Sequence, residues 1–260
     1  MAKATLPDLV KRYNKRVDLR RIQANNGRWY INAKLKDPTP KPSMTTIDSI
    51  IDKGIAYEKW LLNAKDPLAW RDYKADLGTC VHNLIEILIL SGECVITDDM
   101  KGKFQQNEIK KRILSFLAWW EEHNPIPLAT EIRLYHKDIP WCGTVDFVCI
   151  SRKLNKYVMI DFKTGNEYKS HQVQLNGYKM IWDKLFKAYP IDEIYGLYLK
   201  DTWIKKPTFT FRKIPISKEL PNYVYRLWKW ANQDSKGNLI PKVPKEFPNE
   251  FKIQEENSDE

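Results

Sequence analysis

The sequence lacks the long apolar segment that a membrane-spanning helix requires. Such a helix needs about 20 consecutive apolar residues, and the longest candidate, residues 85–90, is far too short. The first 16 residues contain no apolar core of the kind found in secretory leaders. We therefore expect no membrane partner and an intracellular, cytoplasmic location.

Paired cysteines, internal repeats and Gly/Ser linkers are also missing. The four cysteines, Cys80, Cys94, Cys142 and Cys149, form no CxxC pair, which argues against a zinc or iron–sulfur site and favours free thiols in a reducing compartment. Without a linker, the simplest organisation is one domain over residues 1–245, followed by an acidic and flexible tail at 246–260.

Positive charge is in excess. Lysine and arginine number 43 against 33 for aspartate and glutamate, a net charge of +10. Because the tail is acidic, the body of the chain is more basic than this total. A basic body favours a polyanionic partner, since neutralising phosphates releases their condensed counterions.

The N-terminal half has a mostly helical pattern after a basic and irregular start, in which only residues 28–31 suggest a short strand. Three prolines then break the chain, and Ser43 fits the N-cap position of a helix. Helices are expected over about residues 43–64, 76–90 and 99–122, so that the helical part of the domain spans about 43–122.

Beyond residue 127, alternating β-branched and aromatic residues predict strands. Five strands are expected, over about residues 129–137, 139–150, 157–163, 191–200 and 209–216. The first three should form an antiparallel meander, and helices should span about 168–188 and 218–231. This core, about 128–231, predicts an α/β (α+β) fold with a central mixed sheet flanked by helices.

Two neighbouring strands carry the side chains that point to chemistry. Asp146 follows Gly143 on one strand, and Asp161 and Lys163 stand two residues apart on the next, so they share a face. Two carboxylates placed side by side repel each other unless a cation lies between them, and hard oxygen ligands select Mg²⁺ or Mn²⁺. A lysine beside them suits phosphodiester hydrolysis, because it stabilises developing negative charge.

Other residues fit the same site. Glu131 lies on the preceding strand, and His82 lies four residues before Glu86 on a predicted helix, where Glu86 could orient it. Gln174 and Tyr178 are also four residues apart, on the helix after the Asp161 strand. In isolation, each of these features is typical of an ordinary surface or structural position.

The ordered set GTxxH, Glu, GxxD, DxKTG and QxxxY resembles the PD-(D/E)XK nuclease superfamily. More narrowly it is similar to the RecB-type exonuclease branch, which includes phage exonucleases and the mitochondrial genome maintenance exonuclease. The segment from Pro42 to Ile47 is similar to the same phage-type enzymes. The match runs from about Pro42 to Tyr178, and no single motif in it is specific.

The resemblance implies a restriction-endonuclease-like core and a role for each motif residue. Asp146, Asp161 and the Phe162 carbonyl would bind metal, His82 and Glu131 would complete the metal environment, and Lys163 would be the catalytic lysine. Gln174 and Tyr178 would contact the lysine or the DNA backbone. If the chain is viral, as the phage likeness suggests, it would act in the host cytoplasm.

These observations predict a metal-dependent exonuclease that hydrolyses DNA, single-stranded or with a free end, in recombination, repair or replication. Three alternatives stay open: a structure-selective or sequence-specific endonuclease on the same core, a non-catalytic DNA-binding module, and a basic structural protein. Protein partners, oligomeric state and strand preference are left open by the sequence.

Overall fold

A computed structural model describes residues 6–24, 27–36, 38–104, 106–233 and 235–237. The predicted tail at 246–260 lies outside these residues. The described part contains a five-stranded mixed sheet flanked by helices and a smaller three-stranded antiparallel sheet, which confirms the predicted fold class.

The larger sheet has its strands in the order in which they occur in the chain. They are β4 (Ile126–Leu134), β5 (Gly143–Ser151), β6 (Lys156–Lys163), β7 (Glu193–Leu199) and β8 (Phe209–Ile214). Strands β4, β5 and β6 form the predicted antiparallel meander. The helix α7 (Ser170–Leu185) then crosses over, so that β7 pairs with β6 in parallel and β8 returns antiparallel.

The described residues before Ser43 contain more regular structure than the sequence predicted. They form α1 (Leu6–Arg16) and a small sheet of β1 (Leu19–Ala24), β2 (Gly27–Asn32) and β3 (Lys41–Pro42). The short strand expected at residues 28–31 is confirmed as part of β2, whereas the expectation that the rest of this region is irregular was wrong. Charged residues at exposed positions of α1 and β1 obscured the periodicity of their buried residues, which include Tyr13 and Leu19.

The helix expected over residues 43–64 is broken. Ser43 caps α2 (Met44–Ile47) as predicted, accepting a hydrogen bond from the Thr46 N–H, but a 3-10 turn (Asp48–Ile50) follows. Ile51 is extended, and α3 (Ile55–Asn63) begins only after Gly54, whose φ of 89° favours glycine. The chain therefore turns twice where one continuous helix was expected.

The remaining helices also differ from the prediction at their ends. The helices are α4 (Pro67–Ser91), α5 (Asp98–Lys103), α6 (Gln106–His123) and α8 (Leu220–Ala231). Helix α4 begins earlier than expected because Asp66 caps it through the Ala69 N–H and Pro67 occupies its first turn. The expected helix at 99–122 is divided, since Phe104 takes an extended conformation after α5.

Two apolar clusters cover the two faces of the larger sheet. One lies between the sheet and α1, α2, α7 and α8, and the other between the sheet and α4 and α6. Because both faces are covered, β5 and β6 are buried over most of their length. No helix among the described residues is long and apolar enough to span a membrane.

Candidate active site

His82, on α4, is held in one tautomer by the end of β6. Its Nε2 lies 3.0 Å from the carbonyl oxygen of Phe162. A carbonyl oxygen can only accept a hydrogen bond, so Nε2 carries the proton and donates it. In the neutral ring the lone pair is then on Nδ1, which lies 3.6 Å from Asp146 Oδ2 and 3.9 Å from Glu131 Oε1.

These three residues form a compact group of possible metal ligands. One ligand atom from each of His82, Glu131 and Asp146 lies within 4.8 Å of the others. Glu131 has a φ of 45°, a left-handed conformation that is rare for a side chain of this kind and is found most often at functional sites. Its neighbours on β4, Thr130 and Ile132, pair with Phe147 and Val145, which places Glu131 opposite Asp146 on β5.

Asp161, Lys163 and Gln174 form a second group beside the first. Lys163 Nζ forms an ion pair with Asp161 Oδ2. Gln174, on α7, accepts from Lys163 Nζ at 3.2 Å and donates to Asp161 Oδ1 at 2.9 Å and to the Tyr178 hydroxyl at 3.2 Å. One glutamine amide therefore fixes the carboxylate and the ammonium of the DxK motif.

Phe162 joins the two groups through its backbone. Its N–H donates to Asp146 Oδ2 at 2.7 Å, while its carbonyl accepts from His82. Its ring is buried in the core, on the face of β6 opposite to Asp161 and Lys163. A single residue of β6 thus sets the positions of two possible metal ligands.

Burial, together with the crowding of acids, raises the pKa values of two carboxyl groups in the site. Burial, and then the charges of Asp146 and Glu86, raise the pKa of Glu131 to about 8. Burial and the charge of Asp161 raise the pKa of Asp146 to about 6. The surroundings of both groups therefore disfavour the ionised carboxylates, and a bound cation would favour these ionised forms.

Lys163 keeps its proton. Burial disfavours the ammonium, but the charges of Asp161 and Asp146 outweigh it and raise the pKa of Lys163. The group is therefore a donor of hydrogen bonds at neutral pH and not a base.

No protein-family model matches the chain. No curated protein matches it either. The solved structure titled "Crystal structure of SSO0001" superposes with a TM-score of 0.29 and 16% identity, over 61% of this chain and 76% of that one. A match this weak says nothing about activity, so function has to be inferred from the site itself.

Gly143 is required by the close approach of Tyr178. A Cβ at position 143 would overlap the Tyr178 ring, with Cδ1 only 2.7 Å away. Tyr178 is buried and bonded to Gln174. The glycine of the GxxD motif therefore makes room for the tyrosine of the QxxxY motif, which places both motifs in one packed unit.

The structure brings together all the residues that the sequence singled out. The first group contains His82, Glu131 and Asp146, and the second contains Asp161, Lys163, Gln174 and Tyr178. Two details differ from expectation. The Phe162 carbonyl, expected to bind metal, accepts a hydrogen bond from His82. This bond orients His82, a role that the sequence analysis gave to Glu86.

Sequence reasoning missed His171, one helical turn before Gln174. Its Nδ1 accepts from the Tyr168 N–H at 3.4 Å and lies 2.8 Å from the Tyr198 hydroxyl, so its proton is on Nε2. Burial and the charge of Lys163 lower the pKa of His171 to about 4. The signal was the spacing HxxQ, which places both side chains on one face of α7.

The two groups line one cleft of about 1360 Å³. Its walls include His171 and Tyr168 and, from the small sheet, Arg21 and Arg28. The cleft therefore combines an acidic centre with basic walls, a combination suited to a phosphate ester held near a cation.

Proposed function

We propose that this chain is a Mg²⁺- or Mn²⁺-dependent DNA nuclease that degrades DNA inward from a free end, in recombination, repair or replication. The observation that carries the proposal is the tautomer of His82. Its donated Nε2–H leaves Nδ1 facing Glu131 and Asp146, where the neutral ring would offer a lone pair, and the Asp161–Lys163–Gln174 group lies alongside.

The donor set fits a hard divalent cation. His82, Glu131 and Asp146 would hold it, with Asp161 beside them, because two carboxylates and an imidazole nitrogen are ligands that Mg²⁺ and Mn²⁺ accept. The raised pKa values of Glu131 and Asp146 fit this assignment, since a cation would favour their ionised forms. When bound, such an ion polarises a phosphoryl oxygen and an attacking water.

Lys163 supplies fixed positive charge at the reacting phosphate. Its ammonium is oriented by Asp161 and Gln174 before substrate arrives, so little reorganisation is needed when negative charge develops on the phosphoryl oxygens. Tyr178 holds the Gln174 amide in place. In this scheme Gln174 and Tyr178 are positioning residues, and Lys163 is the catalytic residue.

DNA as the substrate rests on the motif resemblance and the positive charge of the chain. The cleft carries basic walls around the acidic centre, and such walls would hold a phosphate backbone without reading bases. Sequence preference should therefore be slight, and binding should weaken steeply with salt.

The test compares an end-labelled linear single-stranded DNA with a covalently closed circle of the same sequence. We expect the linear strand to shorten from its end in Mg²⁺ or Mn²⁺ and to survive in excess EDTA, while the circle persists. Equal degradation of both would favour the endonuclease alternative. Full cleavage in EDTA, or none with either metal, would contradict the metal-dependent nuclease.

A further inference from the structure

The small sheet directs one face toward the cleft. In the β1–β2 register Arg21 lies opposite Tyr30, and Gln23 lies opposite Arg28. Opposite residues of an antiparallel pair project to the same side, so Arg21, Arg28 and Tyr30 share a face. The other face carries Trp29, which packs on Trp228 with ring centroids 5.9 Å apart.

Tyr30 fixes this face against the catalytic strand. Its hydroxyl lies 2.9 Å from Thr144 Oγ1 on β5, and Tyr30 itself is buried. Thr144 stands two residues before Asp146, a distance of about 7 Å along a strand. The two arginines are thus attached to the same strand as the possible metal ligand, at the next position along the cleft.

Both guanidinium groups are free to bind a ligand. Within the described part of the chain, neither Arg21 nor Arg28 forms an ion pair or a side-chain hydrogen bond. Other arginines that line the cleft differ. Arg20, on the opposite face of β1, pairs with Asp18 at 3.1 Å, and Arg133 donates to the Leu19 carbonyl at 2.8 Å.

The geometry also sets the spacing of the pair. Arg28 lies diagonally across the ladder from Arg21, a relation that puts backbone positions about 7–8 Å apart and long side chains within reach of one another. Two guanidinium groups at this spacing can grip one phosphate, because the planar fork of arginine matches phosphate oxygens.

We propose that Arg21 and Arg28 form a phosphate-binding site for the nucleic-acid backbone, next to the metal centre and separate from it. The site holds an internal phosphodiester near the one that is cut and so positions the strand across Glu131 and Asp146. This inference rests on the proposed nuclease function. It assigns to the small sheet the task of substrate binding.

The test measures binding without cleavage. Fluorescence anisotropy of a labelled single-stranded oligonucleotide in EDTA gives the dissociation constant at several salt concentrations. For the double variant Arg21→Ala/Arg28→Ala we expect roughly 10-fold weaker binding, on the scale of a lost charged hydrogen bond. The slope of log affinity against log salt should fall by about 0.7, the value for one phosphate on a single strand.

A matched control is Arg152→Ala. Arg152 is exposed in the turn after β5, eight residues from Thr144 and about 27 Å away along the strand direction. We expect the Arg152→Ala variant to bind the oligonucleotide with the affinity of the wild type and with the same slope of log affinity against log salt. The double variant should fold normally, since neither guanidinium forms an ion pair or a hydrogen bond among the described residues, and thermal unfolding followed by circular dichroism checks this.

Two further comparisons give the proposal clear outcomes. In Mg²⁺ the double variant should raise KM far more than it lowers kcat, and its loss of affinity should be the same on strands with and without terminal phosphates. The proposal would be overturned if the double variant kept the salt slope of the wild type. It would also be overturned if the double variant lost affinity only for strands that carry a terminal phosphate. A wild type that cleaves DNA while the double variant binds normally would reject this site and leave the nuclease intact.

Discussion

His82 depends on a backbone carbonyl for its chemistry. The hydrogen bond from Nε2 to the Phe162 carbonyl directs Nδ1 toward the proposed metal site, and this arrangement is common for metal-binding histidines. Replacing the ring should therefore weaken metal binding more than it disturbs Lys163, whose partners are Asp161 and Gln174.

For His82→Ala we expect metal affinity to fall at least roughly 10-fold. Raising the Mn²⁺ concentration should restore part of the cleavage rate, because mass action refills a weakened site. Metal titration of cleavage measures both effects. His136→Ala, in the loop after β4 and outside the cleft lining, is the control. Unchanged metal dependence in His82→Ala would return His82 to a structural role.

The elevated pKa of Glu131 predicts how the metal-free protein responds to pH. Glu131 faces Asp146 and Asp161 from the sheet and Glu86 and His82 from α4, with Arg133 as a nearby positive charge. Its pKa rises from 4.5 in the unfolded chain to about 8 in the fold. The stability that it contributes is therefore fully present below pH 4.5 and is lost as pH rises toward 8.

In EDTA, the wild type should lose more stability than Glu131→Gln between pH 5 and pH 8. Adding Mg²⁺ should reduce that difference, because a bound cation favours the ionised carboxylate. Urea unfolding midpoints at the two pH values, with and without Mg²⁺, measure this. If the urea midpoints of the two proteins in EDTA changed equally with pH, Glu131 would not be the buried carboxyl group with the raised pKa that this prediction assumes.

At the scale of elements, the site depends on the packing of α7 against the start of β5. Gly143 admits the Tyr178 ring, and Tyr178 bonds to the glutamine that holds Asp161 and Lys163. A methyl group on Gly143 would push the ring away, so this small change should reach Lys163 through two intermediate residues, Tyr178 and Gln174.

Gly143→Ala should destabilise the protein by about 1–3 kcal/mol, as overpacking usually does, and should slow cleavage. The matched control is Gly102→Ala on α5, where an added Cβ meets nothing within 4 Å. Urea unfolding and initial cleavage rates measure both variants. A Gly143→Ala protein as stable and active as the control would show that the ring has room to move.

Among the elements, the sequence predicted those whose residue patterns lie within one short stretch of the chain. Strands β4, β5 and β6 alternate between short turns, and their meander could be predicted from that. The break at Gly54 was missed because isoleucines at 47, 50, 51 and 55 keep a helical spacing across it, which outweighed the low helix propensity of the glycine. The small sheet was missed because β3 is two residues long.

The site residues were accessible from spacing, but their contacts were not. The hydrogen bond from Gln174 to Asp161 and the left-handed backbone of Glu131 depend on tertiary packing. Trp119 and Trp141 are of a residue type that can stack on bases, but both are fully buried in the core. The position of Arg21 and Arg28 in the cleft could not be predicted, since a basic segment has the same sequence pattern whether it lines a cleft or faces solvent.

Across the whole molecule, the two sheets have different tasks in this account. The larger sheet presents the metal ligands and the lysine, and the smaller sheet is fixed to it through Tyr30 and Thr144. Charge is distributed accordingly, with acids at the centre and arginines on the wall. Cleavage thus needs both parts, whereas binding of the metal needs only the larger sheet and α4.

The most direct test of the nuclease assignment is the initial rate of cleavage of end-labelled linear DNA in Mg²⁺ by the wild type and by Lys163→Ala. We predict a loss of roughly 10²-fold or more, the scale seen when a central electrostatic group is removed, with wild-type rates for Lys153→Ala in the distant β5–β6 turn. Retained cooperative unfolding would show that Lys163→Ala is folded. Near-normal turnover in that folded variant, or no turnover in the wild type, would contradict the account.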